Sequence, residues 1–388
     1  MTEPPSSSWS EWAAAQAVEI RAARRWREPR DFDGSGPVGT VGTGGAASAP
    51  VVSFASNDYL GLTQHPAVVA AAHAAIDRWG AGSGSARLIV GSRPVHGDLE
   101  RVLASWKGTE RAVLFPTGFA ANLGVLTTFG ARDVLVCSDE LNHASIIDGC
   151  RLSQATVAVF RHADLEHLDW LLSRRDGRRS LVVSDTVFSM DGDLADLDGL
   201  CTLAARHESL LVLDEAHAVI GPRLSHLPDG VDVVQVGTLS KTLGSLGGFV
   251  AASAALAELI VNRARSYIFT TASTPADTAA ALAALDVLTS REGAGLVARL
   301  RSHVERIRPG HGSPIVPVVC GDDDRALGAA AAMLERGLLV PAIRPPTVPA
   351  GTARLRVALS AAHSDDQVER LVAALVELGF LAGAAPVA

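Results

Sequence analysis

Residues 210–241 read LLVLDEAHAVIGPRLSHLPDGVDVVQVGTLSK. Two short runs rich in Val and Leu open its two halves, LLVL at 210 and VVQV at 233. Such runs are too short for a helix and lack the polar alternation of a half-exposed strand, so each reads as a strand buried on both faces. Each run ends in polar residues: Asp214 and His217 after the first, Thr238, Ser240 and Lys241 after the second. In open parallel sheets ligands bind beyond the carboxyl ends of the strands, so these residues fall on the side where chemistry is done.

The same pattern repeats outward. DVLVC at 133, TVAVF at 156, LVVSD at 181 and GGFVAA at 247 alternate with longer Ala and Leu segments. Helices between buried strands imply right-handed crossovers and a mostly parallel sheet, which defines a large α/β domain over 53–275. After Ser273 come two helical patterns, to Leu288 and from Leu296 to Ile307. Strand-like runs at Ile315–Val319 and Arg354–Leu359 follow, so 276–388 reads as a smaller α+β domain. Residues 1–52 precede both. Trp9, Trp12, Ile20 and Trp26 suit a short amphipathic helix lying on a larger body, and 31–50, dense in Gly, Ala, Thr and Ser, reads as a connector with the weakest claim to order.

A chain of 388 residues, 48% of them apolar, can bury a large core, and its length suits two packed domains. A net charge of −8 and a pI near 5.8 argue against a nucleic-acid or acidic-membrane surface, either of which calls for a concentrated basic face. Cys137, Cys150, Cys201 and Cys320 lie far apart without CxxC spacing and read as reduced core residues. No basic leader followed by an apolar core opens the chain, and no stretch nears the roughly 18 apolar residues of a span, so a cytoplasmic location is expected.

Four features carry chemistry. Asp214 directly follows a strand; it reads as a helix cap or as an acid facing a ligand. DEAH also matches the Mg-binding box of nucleotide-driven helicases, but that reading needs a GxxxxGK[ST] loop, and this chain has none. Lys241, in a turn rich in Gly and Ser, reads as a solvated lysine or as one that forms a Schiff base, which needs a polar turn and a desolvated pocket that lowers its pKa. FPTGFAANLG at 115 is a loop opening a helix, with the N–H groups of Gly118 and Phe119 free to bind a phosphate. DELNHASIIDG at 139 sets His143 beside a strand end. None of these points to a resident metal.

In that order along the chain, Gly118, His143, Asp214, His217 and Lys241 resemble the α-oxoamine synthases, pyridoxal-phosphate enzymes of the aspartate-aminotransferase fold group, fold type I. The likeness runs from Ser53 to Leu371. It includes SNDYLGL at 56, GSGSARLIVGSRPVHGDLE at 82, VFSMDGD at 187 and the lysine loop. It implies pyridoxal 5'-phosphate as cofactor, a Schiff base on Lys241, Asp214 on the pyridine nitrogen and His143 stacked on the ring. His217 and Ser189 would meet the phenolic oxygen, and Gly118, Phe119 and Thr238 the phosphate. The freed Lys241 amine would then act as general base, and Arg356 would clamp the substrate carboxylate. A homodimer is implied, with Thr270 and Thr271 reaching the neighbour's phosphate.

Within the family, IRPPTVPAGTARLR at 343 is similar to the branch that joins L-alanine to a pimeloyl thioester, of coenzyme A or of acyl carrier protein. That reaction gives 8-amino-7-oxononanoate, carbon dioxide and free thiol on the way to biotin. Arg24, Arg344 and Thr347 resemble positions near the acyl chain. One departure stands out: after DEAH the family continues with a glycine-rich turn, whereas AVIGPRLSHLP is shorter, so this loop should take another path. A glycine-using 2-amino-3-ketobutyrate ligase, a secondary-metabolite synthase and a cofactor-free partner subunit are the alternatives. The joint presence of Lys241, Asp214 and His143 argues against the last.

Overall fold

The computed structural model describes residues 8–23, 25–42, 49–224 and 229–381. Its centre is a seven-stranded sheet in the order Arg111–Phe115, Gly248–Ala252, Val233–Thr238, Leu210–Asp214, Arg179–Asp185, Val134–Asp139, Thr156–Phe160. The last five run parallel, and only Gly248–Ala252 runs against its two neighbours. The runs singled out in the sequence are all strands. Arg111–Phe115 was not anticipated: a single short apolar run between two helices carries little periodicity. Helices Gly118–Phe129, Ala144–Leu152 and Leu197–Arg206 cover the sheet, each seated by a buried apolar stripe.

The reversed strand brings the lysine loop beside the first of those helices. A side chain on Gly248 would put its Cβ 2.5 Å from the Gly118 nitrogen, so only glycine lets strand and helix end approach this closely. Leu239 and Leu243, each 1% exposed, anchor the loop on either side of Lys241.

A second, antiparallel sheet joins Ile315–Gly321, Ala353–Ala358 and Ala342–Ile343, with helices Asp323–Glu335 and Asp365–Glu377 alongside. A third contains Asp31–Ser35, Val38–Gly42, Ala49–Ser53 and Leu338–Leu339, in that order. The first two strands form a hairpin turned at Gly36 (φ +67°), so part of the 31–50 stretch read as a connector is regular structure. Its composition, rich in glycine, is that of a loop and hides the pairing. Helix Trp9–Ala22 forms as expected, held by a Ser8–Glu11 capping box, but none of its residues is buried and Trp9 is 82% exposed. It does not lie on the body as predicted; capping and alanine propensity hold it. Among the described residues no helix is long and apolar enough to cross a membrane.

Candidate active site

Strand Val233–Thr238 ends where Thr238 Oγ1 accepts from the Ser240 amide at 3.2 Å and donates to the Gly247 carbonyl at 3.0 Å. Gly244, with φ +57°, closes the turn against the Thr63 amide. The loop thus presents Lys241 inward. Burial pushes its amine down to about 8; Asp214 and Asp185 pull the other way, and the Arg356 charge adds to the fall. Its Nζ lies 2.8 Å from His217 Nε2, and His217 Nδ1 lies 2.6 Å from the Tyr59 hydroxyl. Burial holds His217 well below the ordinary histidine range, with the Lys241, Arg356 and His143 charges adding, so the ring stays neutral.

Asp214 caps the neighbouring strand. One carboxylate oxygen accepts from the Ala216 amide at 2.9 Å, the other from Asn122 Nδ2 at 2.6 Å, and the same amide group donates to Ser145 Oγ at 2.9 Å. Asp185, at the next strand end, accepts from the His143 amide at 2.8 Å. Burial raises the Asp185 pKa well above its ordinary value, and the neighbouring Asp214 adds to this. His143 begins helix Ala144–Leu152, its Nδ1 2.7 Å from Ser145 Oγ, and burial pushes its pKa down.

Lys241, His217, Asp214, Asn122, Asp185, His143 and Ser145 line a cavity of about 190 Å3, together with Thr117, Gly118, Phe119, Thr238 and Ser240. At one end helix Gly118–Phe129 presents its first amides, with the Thr238 and Ser240 hydroxyls close by. Asp214 and the Lys241 amine line the same cavity. Anion donors, a carboxylate for a ring nitrogen and a desolvated amine within one cavity fit pyridoxal phosphate.

The cavity thus gathers Gly118, Phe119, His143, Asp214, His217, Thr238 and Lys241. Arg356, 6% exposed, donates from Nε to the Ser189 carbonyl at 2.6 Å and from Nη2 to Asn57 Oδ1 at 3.2 Å. Ser189 therefore engages Arg356 through its backbone. Thr270 and Thr271 lie apart from the cavity lining, as do Arg344 and Thr347 beside the cis Pro345–Pro346 bond. Arg24 lies outside the described residues. Beyond His217 the chain runs through Ala218–Leu224 along a second cavity of about 800 Å3, which shares Ala216, Gly237 and Thr238 with the first.

Sequence reasoning did not single out Asn122, Ser145, Asp185, Asn57 or Tyr59. Asp185 had the same signal as Asp214, an acid ending a buried strand. Asn57 and Tyr59 stood in the quoted SNDYLGL without a role.

Residues 49–375 match the aminotransferase class I and II family model. An 8-amino-7-oxononanoate synthase of Anaeromyxobacter dehalogenans (strain 2CP-1 / ATCC BAA-258) is 50% identical over 387 residues, covering 94% of each chain. A serine palmitoyltransferase from S. paucimobilis, solved with PLP and myriocin, superposes with a TM-score of 0.86 at 29% identity, covering 97% of this chain and 100% of that one. An 8-amino-7-oxononanoate synthase from Francisella tularensis gives 0.69 at 26% identity, covering 85% and 99%. The chain therefore belongs to the class I and II aminotransferase family of pyridoxal-phosphate enzymes, within the group of the 8-amino-7-oxononanoate synthases.

Proposed function

We propose that the chain condenses L-alanine with a pimeloyl thioester, carried by coenzyme A or acyl carrier protein, to give 8-amino-7-oxononanoate, carbon dioxide and free thiol. The observation that carries its pyridoxal-phosphate chemistry is the Lys241 amine, half-buried, brought down to about 8 and 2.8 Å from a neutral His217, and the kinship with the 8-amino-7-oxononanoate synthases supports the substrates. Bound pyridoxal phosphate supplies an electron sink that stabilises negative charge at the amino-acid α-carbon.

Each protein group then has one task. Lys241 removes the alanine α-proton; with its pKa near 8, roughly a tenth of it is free amine at neutral pH. Arg356, braced by Ser189 O and Asn57, clamps the alanine carboxylate. Asp214, steadied by Asn122 and the Ala216 amide, holds a proton on the pyridine nitrogen. His143 packs on the ring face, while His217 and Ser189 attend the phenolic oxygen. Gly118, Phe119 and Thr238 hold the phosphate, and Arg24, Arg344 and Thr347 shape the acyl mouth. On this reading residues 53–275 carry the cofactor, and 276–388 deliver Arg356.

A homodimer belongs to the proposal. Leu88, Ile89 and Val90 are 50%, 74% and 67% exposed, and Phe269 is 70% exposed. The Ala86–Thr271 bridge and the Ala272 N–H to Ser85 carbonyl bond join these segments into one apolar surface. A second copy covering it would carry Thr270 and Thr271 to the neighbour's phosphate.

The test is the visible spectrum of the purified protein, before and after L-alanine and then a pimeloyl thioester, with mass analysis of the product. The reading expects a yellow protein whose band shifts with alanine and whose product is 8-amino-7-oxononanoate. A response to glycine or to another acyl donor instead moves the substrate assignment within the family. A colourless protein removes Lys241 from its role.

A further inference from the structure

None of these tasks uses Tyr59, yet it is wholly buried, with its hydroxyl 2.6 Å from His217 Nδ1 and 3.0 Å from Asn57 Oδ1. The protons along this chain can be counted. Arg356 Nη2, a donor only, faces Asn57 Oδ1, which fixes that atom as the amide oxygen and an acceptor. A phenol has one proton. Given to Asn57, it leaves the phenol oxygen to accept from an Nδ1–H on His217. Nε2 is then bare and accepts from Lys241 Nζ, a donor in either protonation state. Turned the other way, the phenol proton goes to Nδ1 and the ring carries its hydrogen on Nε2, facing an acceptor. The charged or titratable groups around the ring are Lys241, Arg356, His143 and Tyr59 itself. They and burial keep the imidazole neutral, so it occupies one tautomer or the other.

We propose that Tyr59 is the positioning residue that lets His217 change tautomer: the Nδ1–H form while Nε2 faces the Lys241 amine, the Nε2–H form when Nε2 faces an acceptor such as the phenolic oxygen of the cofactor. The inference rests on the reading of His217 as that oxygen's partner. Two acceptors, Asn57 Oδ1 and His217 Nδ1, flank one rotatable O–H, so either state leaves the buried Nδ1 hydrogen-bonded. The ring proton leaves to solvent water and returns from it, so the change carries no net charge. A phenyl ring at 59 would strand Nδ1 in both states.

The test uses the full chain with 15N-labelled histidine. NMR of the His217 ring nitrogens is expected to find Nδ1–H without pyridoxal phosphate and Nε2–H with it. Tyr59→Phe is expected to hold the cofactor about tenfold more weakly, the loss of one buried hydrogen bond. It should also move the pH midpoint of the visible band by about one unit or more. A merely structural tyrosine would lower thermal stability and leave that midpoint in place. The same tautomer in both states of the unmodified chain overturns the proposal, as does Tyr59→Phe with unchanged midpoint and cofactor affinity. If the variant fails to fold, the unmodified chain still decides. A chain that takes up no pyridoxal phosphate overturns the cofactor reading instead; Nε2–H without cofactor would then refute the proton count by itself.

Discussion

On the proposed reading, the Lys241 nitrogen both holds the cofactor and moves the α-proton. Lys241→Ala is expected to abolish turnover while leaving non-covalent cofactor binding, because the helix end and hydroxyls remain. Ordinary turnover in that variant, measured by product mass, removes the central assignment. Asp214→Asn keeps the shape and loses the charge, and proton abstraction should slow by on the order of a thousandfold. Solvent hydrogen exchange at alanine Cα reads this directly, and a loss below tenfold means another group supplies the charge. Asp214, His217 and Lys241 were legible because each follows a buried strand, where topology alone fixes the direction. Asn57 and Arg356 meet only after the whole chain has folded, so no local pattern marks their contact.

Elements are pinned together here by charges as well as by apolar stripes. Helix Pro94–Lys107 ends at Gly108 in the left-handed conformation, and Lys107 turns under the sheet to pair with Glu215. Both side chains are almost fully buried, and the ammonium also lies 4.1 Å from the Trp106 ring centroid. Removing one partner strands the other, so Lys107→Met should cost about 3–5 kcal/mol by urea unfolding, with Glu215→Gln added to it restoring most of the loss. If the double change is as unstable as the single one, packing rather than charge is the cause.

A second pin is His162, 3.0 Å from Asp139 and 2.5 Å from Asp193, with its ring edge on Phe188. It ties the strand end at Asp139 to the turn whose Ser189 and Asp191 meet Arg356 and Arg354. The hydrogen bonds to Asp139 and then Asp193 raise its pKa to about 10. A histidine raised on folding stabilises fully below its unfolded pKa, near 6.5, and that share is lost as pH climbs to about 10. His162→Gln should therefore lower Tm most near pH 6, and the gap to the parent should close toward pH 10. A gap independent of pH assigns the effect to shape. The strand ends of both pins could be placed from sequence; their partners, on separate elements, could not.

For the whole molecule, Leu88, Ile89, Val90 and Phe269 form an exposed apolar surface that the proposed homodimer would cover. Ile89→Asp should halve the mass seen by analytical ultracentrifugation and cut turnover by tenfold or more, with the far-UV spectrum unchanged. An active monomer would end the idea of a shared site. The layered fold itself was readable from strand runs and the switch of pattern after Ser273, since buried parallel strands leave a plain apolar signal. The hairpin at 31–42 was not, because its composition is that of a loop.

Strand Ala49–Ser53 pairs in parallel with Leu338–Leu339, Val52 against Leu338 and Ser53 against Leu339. The ribosome delivers the first of these long before the second. Val51 and Val52, buried in the finished protein, lack that partner until Leu338–Leu339 emerges, so a sheet formed before then would end in an open edge. Such an edge would stay adhesive until its partner arrives, and neighbouring copies on one messenger are its nearest partners. Codon choice and chaperone occupancy up to the codons for Leu338 and Leu339, rather than the strength of the finished core, should set how much of this protein a cell recovers in usable form.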